Sequence, residues 1–581
     1  MRIKILLLLT AVLFTGVLVS RFTTPSEAQQ LRNSSIRSTS VTGLPMADLG
    51  WEAIVNNGQM MPNATVNFSS YGQPSVNENG TVVFRARSTG REGSGGNRQT
   101  GVYLRKGTRG AIRPVADLDA LVPHPNNLGT LFREFPAIPR IAMKEDFPAT
   151  RGIHKPVCEF SLGGDETTRV GTTGLYMELG SHAAVTAMSK LGGEAGFAPG
   201  FEYFEVPGFT ELPFDVFPGA PTIADDGTIA FKGNFTVNGV GKTGIFFRRV
   251  LDTPGGGTAP VEMIASSDTQ IPNLPAGMNL NFGSTAPPTI AGDQIAFLGL
   301  DNEDNPSYGG IYVAPIEAAA TLTPIAEIGA VLAGTERQLS RIGEALSFDG
   351  RYISFWAAWG TEMKTLRLYC PEDGNKDLLE FCNSEEGGSI FDPTANRWYQ
   401  MREVPVNQGI FVYDLREGTA DQVATSEDFD DFVFWGYSGK APGTGSSEED
   451  AEEPRWRAAS FVAASDGRVA FKARTGAIDS NNMYVDPVDG IYIGYPGKMK
   501  GLLTVIETGN DGASMDPMIP VGLLPITGVG IERDGFRGKY LAISVAMGIE
   551  TEDETEELTD WAGIYRTMIN GKPKAIKIKN K

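Results

Sequence analysis

The sequence predicts an all-β protein with the architecture of a β-propeller, built from seven four-stranded blades or, as alternatives, six or eight. Three observations predict it. A triplet of glycine, an aliphatic residue and an aromatic residue recurs seven times along the 581 residues. A turn and an alternating strand precede most copies. The chain holds 70 Gly and 36 Pro, so turns are frequent and long helices scarce.

The triplets are spaced 66 to 99 residues apart. They begin at Gly101, Gly174, Gly244, Gly310, Gly409, Gly490 and Gly563. Near-regular repetition at this period is typical of repeat architectures, in which each unit buries its apolar face against a neighbour. A chain of this length therefore does not need one large core.

The segment 221–249 shows the whole unit. A short strand follows Pro221, a turn lies at Asp226-Gly227, and an alternating strand leads to the triplet at Gly244. A last strand around Ile264 completes four antiparallel strands. The second unit is the most degenerate, because residues 138–141 stand where its first strand belongs and no glycine turn follows.

Stacking such units radially leaves only short, protected sheet edges, which favours a closed ring. A linear β-solenoid and two separate β-domains are the competing arrangements, and a solenoid usually repeats at a shorter period. Either residues 45–60 or the tail 575–578 could complete the last blade. The sequence does not decide between these two segments.

The repeat resembles those of exported bacterial β-propellers of the Tol-Pal type and of related, mostly uncharacterised exported propellers. The likeness covers about residues 74–570 and implies blades and an exported location, but no chemistry. The matching residues are Pro221, Ile223, Gly227, Ile229, Ala230 and Phe231, and also Ala464, Gly467, Val469, Ala470 and Phe471.

The first 28 residues are expected to be a signal peptide, with Arg2 and Lys4 before an apolar run and a cleavage site after Ala28. An uncleaved anchor is the alternative, although the run falls short of the roughly 20 residues that span a bilayer. We expect a flexible lead-in at 29–44. Residues 45–581 would then form a single propeller domain with insertions at about 361–404 and 440–455.

The formal net charge of −20 disfavours nucleic acid as a partner and suits a secreted, extracellular or periplasmic protein. No later segment is apolar enough to span a membrane, so the mature chain is expected to lack a membrane span. Cys370 and Cys382 are predicted to form a disulfide in an exported protein. Cys158 is left over, either as a buried small side chain or as a reactive thiol.

Candidate ligand-binding residues are few. Asp301, Glu303 and Asn305 alternate as calcium ligands do, so calcium is the one cofactor the sequence suggests. The expected glycine and final glutamate of a calcium loop are absent, and a solvated hairpin tip is the alternative. A second segment of this kind is 479–489. Asp225, Asp226 and Asp466 are interpreted as turn residues rather than catalytic carboxylates.

Four aromatic residues near the fifth unit form either packing contacts or a platform for sugars or peptides. They are Trp356, Trp359, Trp398 and Tyr399. No nucleophile elbow, zinc motif, P-loop or dinucleotide fingerprint occurs.

The predicted function is an exported, non-catalytic propeller that binds a protein or glycan. The alternatives are a propeller enzyme, such as a glycan lyase, glycan hydrolase or metal-dependent hydrolase, and a calcium-binding matrix protein. The residues responsible for function are expected where the repeated units differ from one another, which is at 361–404, at 440–455 and in the second unit.

Overall fold

The fold is taken from a computed structural model. It describes residues 40–88, 99–118, 120–123, 131–163, 166–177, 183–187, 204–249, 259–303, 305–370, 376–428, 435–438, 455–458, 461–495, 501–519, 524–548 and 561–571.

The described residues form 38 strands. The first are β1 (Trp51–Asn56), β2 (Phe68–Tyr71), β3 (Ser75–Val76), β4 (Thr81–Ser88), β5 (Thr100–Lys106) and β6 (Arg113–Asp117). Next come β7 (Phe132–Glu134), β8 (Arg140–Ile141), β9 (Pro148–Gly163), β10 (Glu166–Met177) and β11 (Ala183–Ala187). The third and fourth units hold β12 (Thr222–Ile223), β13 (Thr228–Val237), β14 (Val240–Arg249), β15 (Glu262–Ser266), β16 (Ser284–Thr285), β17 (Thr289–Ala291), β18 (Gln294–Leu300), β19 (Gly309–Pro315) and β20 (Thr323–Glu327).

The fifth unit is the longest. It holds β21 (Leu339–Ile342), β22 (Ser347–Phe348), β23 (Tyr352–Trp359), β24 (Met363–Tyr369), helix α1 (Lys376–Cys382), β25 (Ile390–Asp392), β26 (Arg397–Pro405), β27 (Gln408–Asp414) and β28 (Thr419–Thr425). The chain continues with β29 (Trp435–Ser438), β30 (Arg455–Ala458), β31 (Val462–Ser465), β32 (Arg468–Ile478), β33 (Tyr484–Tyr495) and β34 (Gly501–Glu507). A short 3-10 helix (Gly512–Ser514) precedes β35 (Ile526–Gly530), β36 (Phe536–Arg537), β37 (Tyr540–Met547) and β38 (Trp561–Met568).

Most of these strands belong to antiparallel sheets that repeat one order. Within the described ranges there are seven such sheets: β2/β3-β4-β5-β6, β7/β8-β9-β10-β11, β12-β13-β14-β15, β16/β17-β18-β19-β20, β21/β22-β23-β27-β28, β31-β32-β33-β34 and β35/β36-β37-β38-β1. Seven short inner strands (β3, β8, β12, β17, β22, β31 and β36) each lie beside the next, and β36 lies beside β3. The sheets therefore close into a ring around a central channel, and the predicted all-β propeller class is confirmed.

Of the two segments predicted to complete the last sheet, the N-terminal one, residues 45–60, does so. Strand β1 pairs with β38, with Trp51 opposite Thr567 and Asn56 opposite Gly563. The tail at 575–578 lies outside the described residues. The sequence could not separate the two segments because both have the composition of a short outer strand.

The recurring triplet marks a bulge in each sheet. The register of the outer strand shifts opposite the aliphatic and aromatic residues, for example at Ile245 and Phe246. The aromatic ring then folds back over the triplet glycine. A Cβ atom on Gly490 would lie 2.5 Å from the Tyr492 hydroxyl, and one on Gly310 would lie 2.0 Å from the Ala326 carbonyl oxygen. Only glycine leaves this space.

The predicted turns are present, in two forms. At Asp466-Gly467 both residues have positive φ (52° and 75°), as a two-residue hairpin requires. At Asp226-Gly227 only the glycine does. There the Ala224 amide bonds to the Thr228 carbonyl oxygen across three residues, so the loop is one residue longer and a single glycine is enough.

Apolar side chains fill the spaces between adjacent sheets. Ile229 and Phe231 pack against the second sheet, whereas Ile245 and Phe247, on the opposite face, pack against the fourth. Each blade thus buries both of its faces. None of the helices in the described ranges has the length and apolar character needed to cross a membrane.

Residues 40–47 run along the sixth sheet. The Thr504 amide donates to the Pro45 carbonyl oxygen at 2.9 Å. The buried Glu507 carboxylate accepts hydrogen bonds from the Ser40 hydroxyl (2.9 Å) and the Val41 amide (2.7 Å). These contacts include residues 40–44 of the predicted lead-in; residues 29–39 lie outside the described chain.

We expect Gly310→Ala to lower the free energy of unfolding by about 1–3 kcal/mol, because the new Cβ atom would overlap the Ala326 carbonyl group. Urea unfolding at equilibrium measures the change. Gly50→Ala is the control, since nothing lies within 4 Å of the position its Cβ atom would take. Equal stability of the two variants would contradict this explanation of the triplet.

Candidate functional site

A short segment, residues 531–535, lies at the centre of the ring, and we call it the channel plug. It precedes β36 in the last sheet and bonds to other sheets. The Val76 amide donates to the Asp534 carbonyl oxygen (2.9 Å) and the Ser347 hydroxyl to the Arg533 carbonyl oxygen (2.5 Å). The Arg533 guanidinium donates to the Pro287 carbonyl oxygen (3.0 Å). The plug thus bridges the first, fourth and fifth sheets.

A buried carboxylate anchors the plug. Asp534 accepts hydrogen bonds from Arg140, on β8, and from Arg537, on β36. Arg140 is fully buried and also donates to the Pro288 carbonyl oxygen and to the Thr289 hydroxyl, both at 3.2 Å. This ion cluster therefore joins the last sheet to the second and the fourth.

Burial alone would raise the pKa of the Asp534 carboxyl group, but the charges of Arg140 and Arg537 outweigh it and hold that pKa below its ordinary value of 3.8. Arg537 completes its hydrogen bonds with the Ala464 (2.8 Å) and Phe348 (3.1 Å) carbonyl oxygens. The charged groups of the cluster are therefore paired with one another and with backbone carbonyl oxygens, as expected for a cluster that stabilises the fold.

The carboxylates at the turns act locally. Asp225 accepts from the Lys144 amide of the second sheet at 2.6 Å, and Asp226 accepts from the Thr228 amide at 2.8 Å. The Asp466 amide donates to the Asp349 carboxylate at 2.7 Å. These hydrogen bonds fit the predicted role of the aspartates in turns. Those of Asp225 and Asp466 also connect the turns of neighbouring sheets.

The calcium candidates form hydrogen bonds within the protein. Asp301 accepts from the Ser307 and Tyr308 amides (2.9 and 3.0 Å), and Glu303 accepts from the Ser284 hydroxyl (3.2 Å). The Asn305 amide donates to the Asn302 side chain at 3.0 Å. Across the part of the chain that the structure describes, no three His, Cys, Asp or Glu side chains are grouped as a metal site requires. Calcium binding remains a prediction.

The second candidate segment is a hairpin tip. Asp479 accepts from the Asn481 and Met483 amides (2.8 and 2.9 Å), whereas Asp489 forms an ion pair with Arg474 at 2.7 Å. Both carboxylates are therefore already bonded to other groups of the protein.

Two of the four aromatic candidates belong to the core. Trp356 is buried and donates from Nε1 to Gln408 at 3.0 Å. Trp359 is also buried, beneath the Arg337 guanidinium at 4.5 Å. Trp398 and Tyr399 lie instead in the predicted insertion at 361–404.

This insertion forms a small sheet of its own, in the order β24-β26-β25, which we call the insertion sheet. The predicted disulfide between Cys370 and Cys382 is present and ties the end of β24 to α1. One face of the sheet carries Leu366, Leu368 and Val404, which pack on Trp456, Ile478 and Tyr484. The sheet is therefore fixed to the sixth unit.

The opposite face carries a network of tyrosine and arginine. The Arg367 guanidinium lies 4.2 Å from the centre of the Tyr399 ring, and that of Arg397 lies 4.9 Å from the Tyr369 ring. Asp392 accepts from the Tyr369 hydroxyl (2.8 Å) and from Arg367 (3.1 Å). The Tyr369 hydrogen bond lowers the pKa of Asp392.

Sequence reasoning singled out Tyr399 alone from this network. The missed signal is the pattern Arg-x-Tyr, which occurs at 367–369 and again at 397–399. The pairing of Tyr369 with Tyr399 brings the two copies together. On the same face as the network, Ile390 and Met401 are exposed by 52% and 39%.

Two other predicted features are only partly described. Cys158 lies in β9, where only the backbone is described. The predicted insertion at 440–455 lies almost wholly outside the described residues, and the flanking strands β29 and β30 pair with each other.

No family model and no curated protein matches the chain. Among solved structures, it is similar to an acylaminoacyl peptidase of Pyrococcus horikoshii, with 10% identity and a TM-score of 0.36. That alignment covers 88% of this chain and 52% of the peptidase, so the chain spans about half of the peptidase's length.

Two further similar structures are glycoside hydrolases. One is a GH32 β-fructofuranosidase of Bombyx mori (9% identity, 94% of this chain and 97% of the enzyme, TM-score 0.25). The other is a family 117 enzyme of Zobellia galactanivorans (10% identity, 57% and 87%, TM-score 0.23). Likenesses this weak carry no argument about activity.

The ion cluster predicts acid sensitivity. Because the pKa of Asp534 is lowered in the folded state, its stabilising contribution is complete above the ordinary value of 3.8 and is lost as the pH falls through the folded-state pKa. We expect Asp534→Asn to remove this part of the pH dependence, at most about 1.4 kcal/mol per pH unit. Urea unfolding between pH 2 and 7 measures it.

The control is Asp414→Asn, which removes a carboxylate whose pKa is also lowered by an arginine, Arg351, but at the surface. We expect this variant to retain most of the wild-type slope. A wild-type slope retained by Asp534→Asn would show that the plug carboxylate does not titrate with unfolding.

Proposed function

We propose that this chain is an exported, non-catalytic β-propeller that binds a protein partner through the tyrosine–arginine face of the insertion sheet. The observation that carries the proposal is that network: two tyrosines and two arginines held on one face of a disulfide-tied sheet, next to two exposed apolar residues. Tyrosine, arginine and methionine are enriched at protein interfaces, and tyrosine and arginine dominate their hot spots.

The rigidity of this face supports recognition. The opposite face is packed on the sixth unit, and Asp392 fixes both Tyr369 and Arg367. Side chains that are already ordered lose little conformational entropy when a partner binds. The same groups on a mobile loop would bind more weakly.

The chemistry favours a protein over a glycan at this site. Sugars stack on open aromatic faces, but Trp356 and Trp359 are buried. One face of each network tyrosine is already covered by a guanidinium group. What remains open on this face are the apolar side chains of Ile390 and Met401, which suit burial against another protein.

The channel supports a binding role rather than catalysis. Active sites need ionisable groups that are free to meet a substrate. The buried charges of the plug are instead matched by one another and by backbone carbonyl oxygens. The turn carboxylates are also engaged within the protein.

Export is supported by two features. The signal sequence expected at residues 1–28 directs the chain out of the cytosol, and the Cys370–Cys382 disulfide is stable in an oxidising compartment. The resemblance to exported bacterial propeller repeats fits the same location.

A site-specific photo-crosslinker tests the proposal. We expect p-benzoylphenylalanine in place of Met401 to form a discrete protein adduct when the folded chain is mixed with the extracellular and envelope fractions of its producer. The same residue in place of Met568, which is exposed by 45% on the last sheet, is the matched control.

The adduct should disappear when Arg397→Glu is added to the Met401 probe. Identical adducts at both positions, or an adduct that survives Arg397→Glu, would contradict the proposed site. Turnover of a glycan by the purified chain would contradict the non-catalytic role.

A further inference from the structure

A cavity of about 390 Å³ lies between the fourth and fifth sheets, and we call it the 4–5 cavity. The fourth sheet contributes Gln294 at the start of β18, Val313 in β19 and Thr323 in β20. The fifth sheet contributes two turns, Gly350-Arg351 before β23 and Leu415-Arg416 after β27. Cavities of this size are typical of small-molecule sites in proteins.

The floor of the cavity is apolar and its rim is polar. Val313 is buried in the cluster of apolar side chains between the two sheets, and Leu415 packs against that cluster. At the rim, Gln294 is half-buried, whereas Thr323 and Arg416 are exposed. An apolar wall with a few polar groups beside it is the usual composition of a ligand pocket, because the wall supplies affinity and the polar groups fix the orientation.

Hydrogen bonds hold together the two turns of the fifth sheet. The Leu415 amide donates to the Arg351 carbonyl oxygen at 2.9 Å. The Arg351 guanidinium donates to both carboxylate oxygens of Asp414, at 2.9 and 2.5 Å, and the Arg416 amide donates to the same carboxylate at 2.9 Å. The cavity is therefore already formed in the free protein, so a ligand would not have to order it.

The charges at the rim favour an anion. Two arginines, Arg351 and Arg416, line the cavity, and no acidic residue of the described chain lines it with them. The charge of Arg351 is matched by Asp414, and Glu417 lies 3.9 Å from the same guanidinium group. Both carboxylates line a different cavity, between the fifth and sixth sheets. The guanidinium group of Arg416 bonds to none of the described residues.

Arginines near the end of the third strand in other sheets are bonded within the protein. Arg249 donates to the Ile316 carbonyl oxygen at 2.5 Å. Arg566 donates from Nε to the Glu52 carboxylate at 3.1 Å. Arg416 differs from both, because its guanidinium group is open to a ligand at the rim of a cavity.

We propose that the 4–5 cavity binds a small organic acid that has one carboxylate group and an apolar body. The Arg416 guanidinium group would donate two parallel hydrogen bonds to the carboxylate, as its planar geometry allows. The apolar body would cover Val313 and Leu415 and remove them from water. A neutral analogue would leave Arg416 without a counterion. This proposal does not depend on the protein partner of the insertion sheet.

Titration of the full chain with hexanoate, followed by saturation-transfer difference NMR, tests the site. We expect hexanoate to bind with a dissociation constant of about 1 mM, as suits a ligand of this size, and hexanamide to bind at least about tenfold more weakly. The net charge of −20 repels anions in general, so hexanoate binding would require a specific site.

Variants locate the binding. Arg416→Gln should weaken hexanoate binding about tenfold, whereas Arg416→Lys should retain it within a few-fold. Thr323→Phe, which places a ring at the rim and keeps both arginines, should abolish binding of both probes. Arg133→Gln is the matched control, because it removes the same charge from an exposed position on β7 and should leave the affinity unchanged.

Thermal unfolding of each variant accompanies the titration, and all four are expected to fold because the changed side chains are exposed. Equal affinity of Arg416→Gln and the wild type, or equal binding of hexanoate and hexanamide, would overturn the proposal. So would an absence of hexanoate binding at about ten times the expected dissociation constant, since Arg416 would then be an ordinary solvated surface residue.

Discussion

The structure depends on one carboxylate. Asp534 lies at the centre of the ring between Arg140 and Arg537, and the three side chains are almost completely buried. A ring of similar blades can close in more than one register, because adjacent interfaces are built from the same kinds of apolar contact. A buried charge is stabilised only in a geometry that supplies its partners, so Asp534 favours the arrangement in which Arg140 of the second sheet and Arg537 of the last sheet both reach it. Its contribution is therefore specificity as well as free energy, and replacing the whole cluster by apolar residues could be less damaging than removing one partner.

Much of the fold could be predicted from local sequence, because its signals repeat. The triplet glycine is fixed by a bulge and a ring that occupy the space of a Cβ atom, as at Gly310 and Gly490. The Asp-Gly turns are fixed by positive φ. The outer strand of the last sheet could not be predicted, because β1 and the C-terminal tail have similar local patterns and only pairing over more than 500 residues separates them. The plug was missed for a related reason: Glu532, Arg533 and Asp534 are an ordinary charged run until the ring surrounds them.

The candidate sites could also be predicted only where the signal is local in the sequence. The disulfide was predictable from the spacing of Cys370 and Cys382 in an exported chain. The tyrosine–arginine network was not, because it depends on the register that sets Tyr369 opposite Tyr399. Conversely, the alternating Asp301, Glu303 and Asn305 have the composition of a calcium loop, yet the first two bond to nearby backbone and hydroxyl groups. Whether an oxygen atom is free to bind a ligand is decided by three-dimensional contacts, which spacing alone does not report.

A double-mutant cycle between Arg140 and Asp534 measures how strongly the ion cluster holds the ring together. The free energies of unfolding of the wild type, Arg140→Met, Asp534→Asn and the double variant are measured by urea unfolding at pH 7. Each single change is expected to cost about 3–5 kcal/mol, because a buried charge or its partner is left unmatched, and the double variant should cost clearly less than the sum. Additive losses within about 0.5 kcal/mol, or single losses below about 1 kcal/mol, would contradict the claim that this ion cluster holds the ring together.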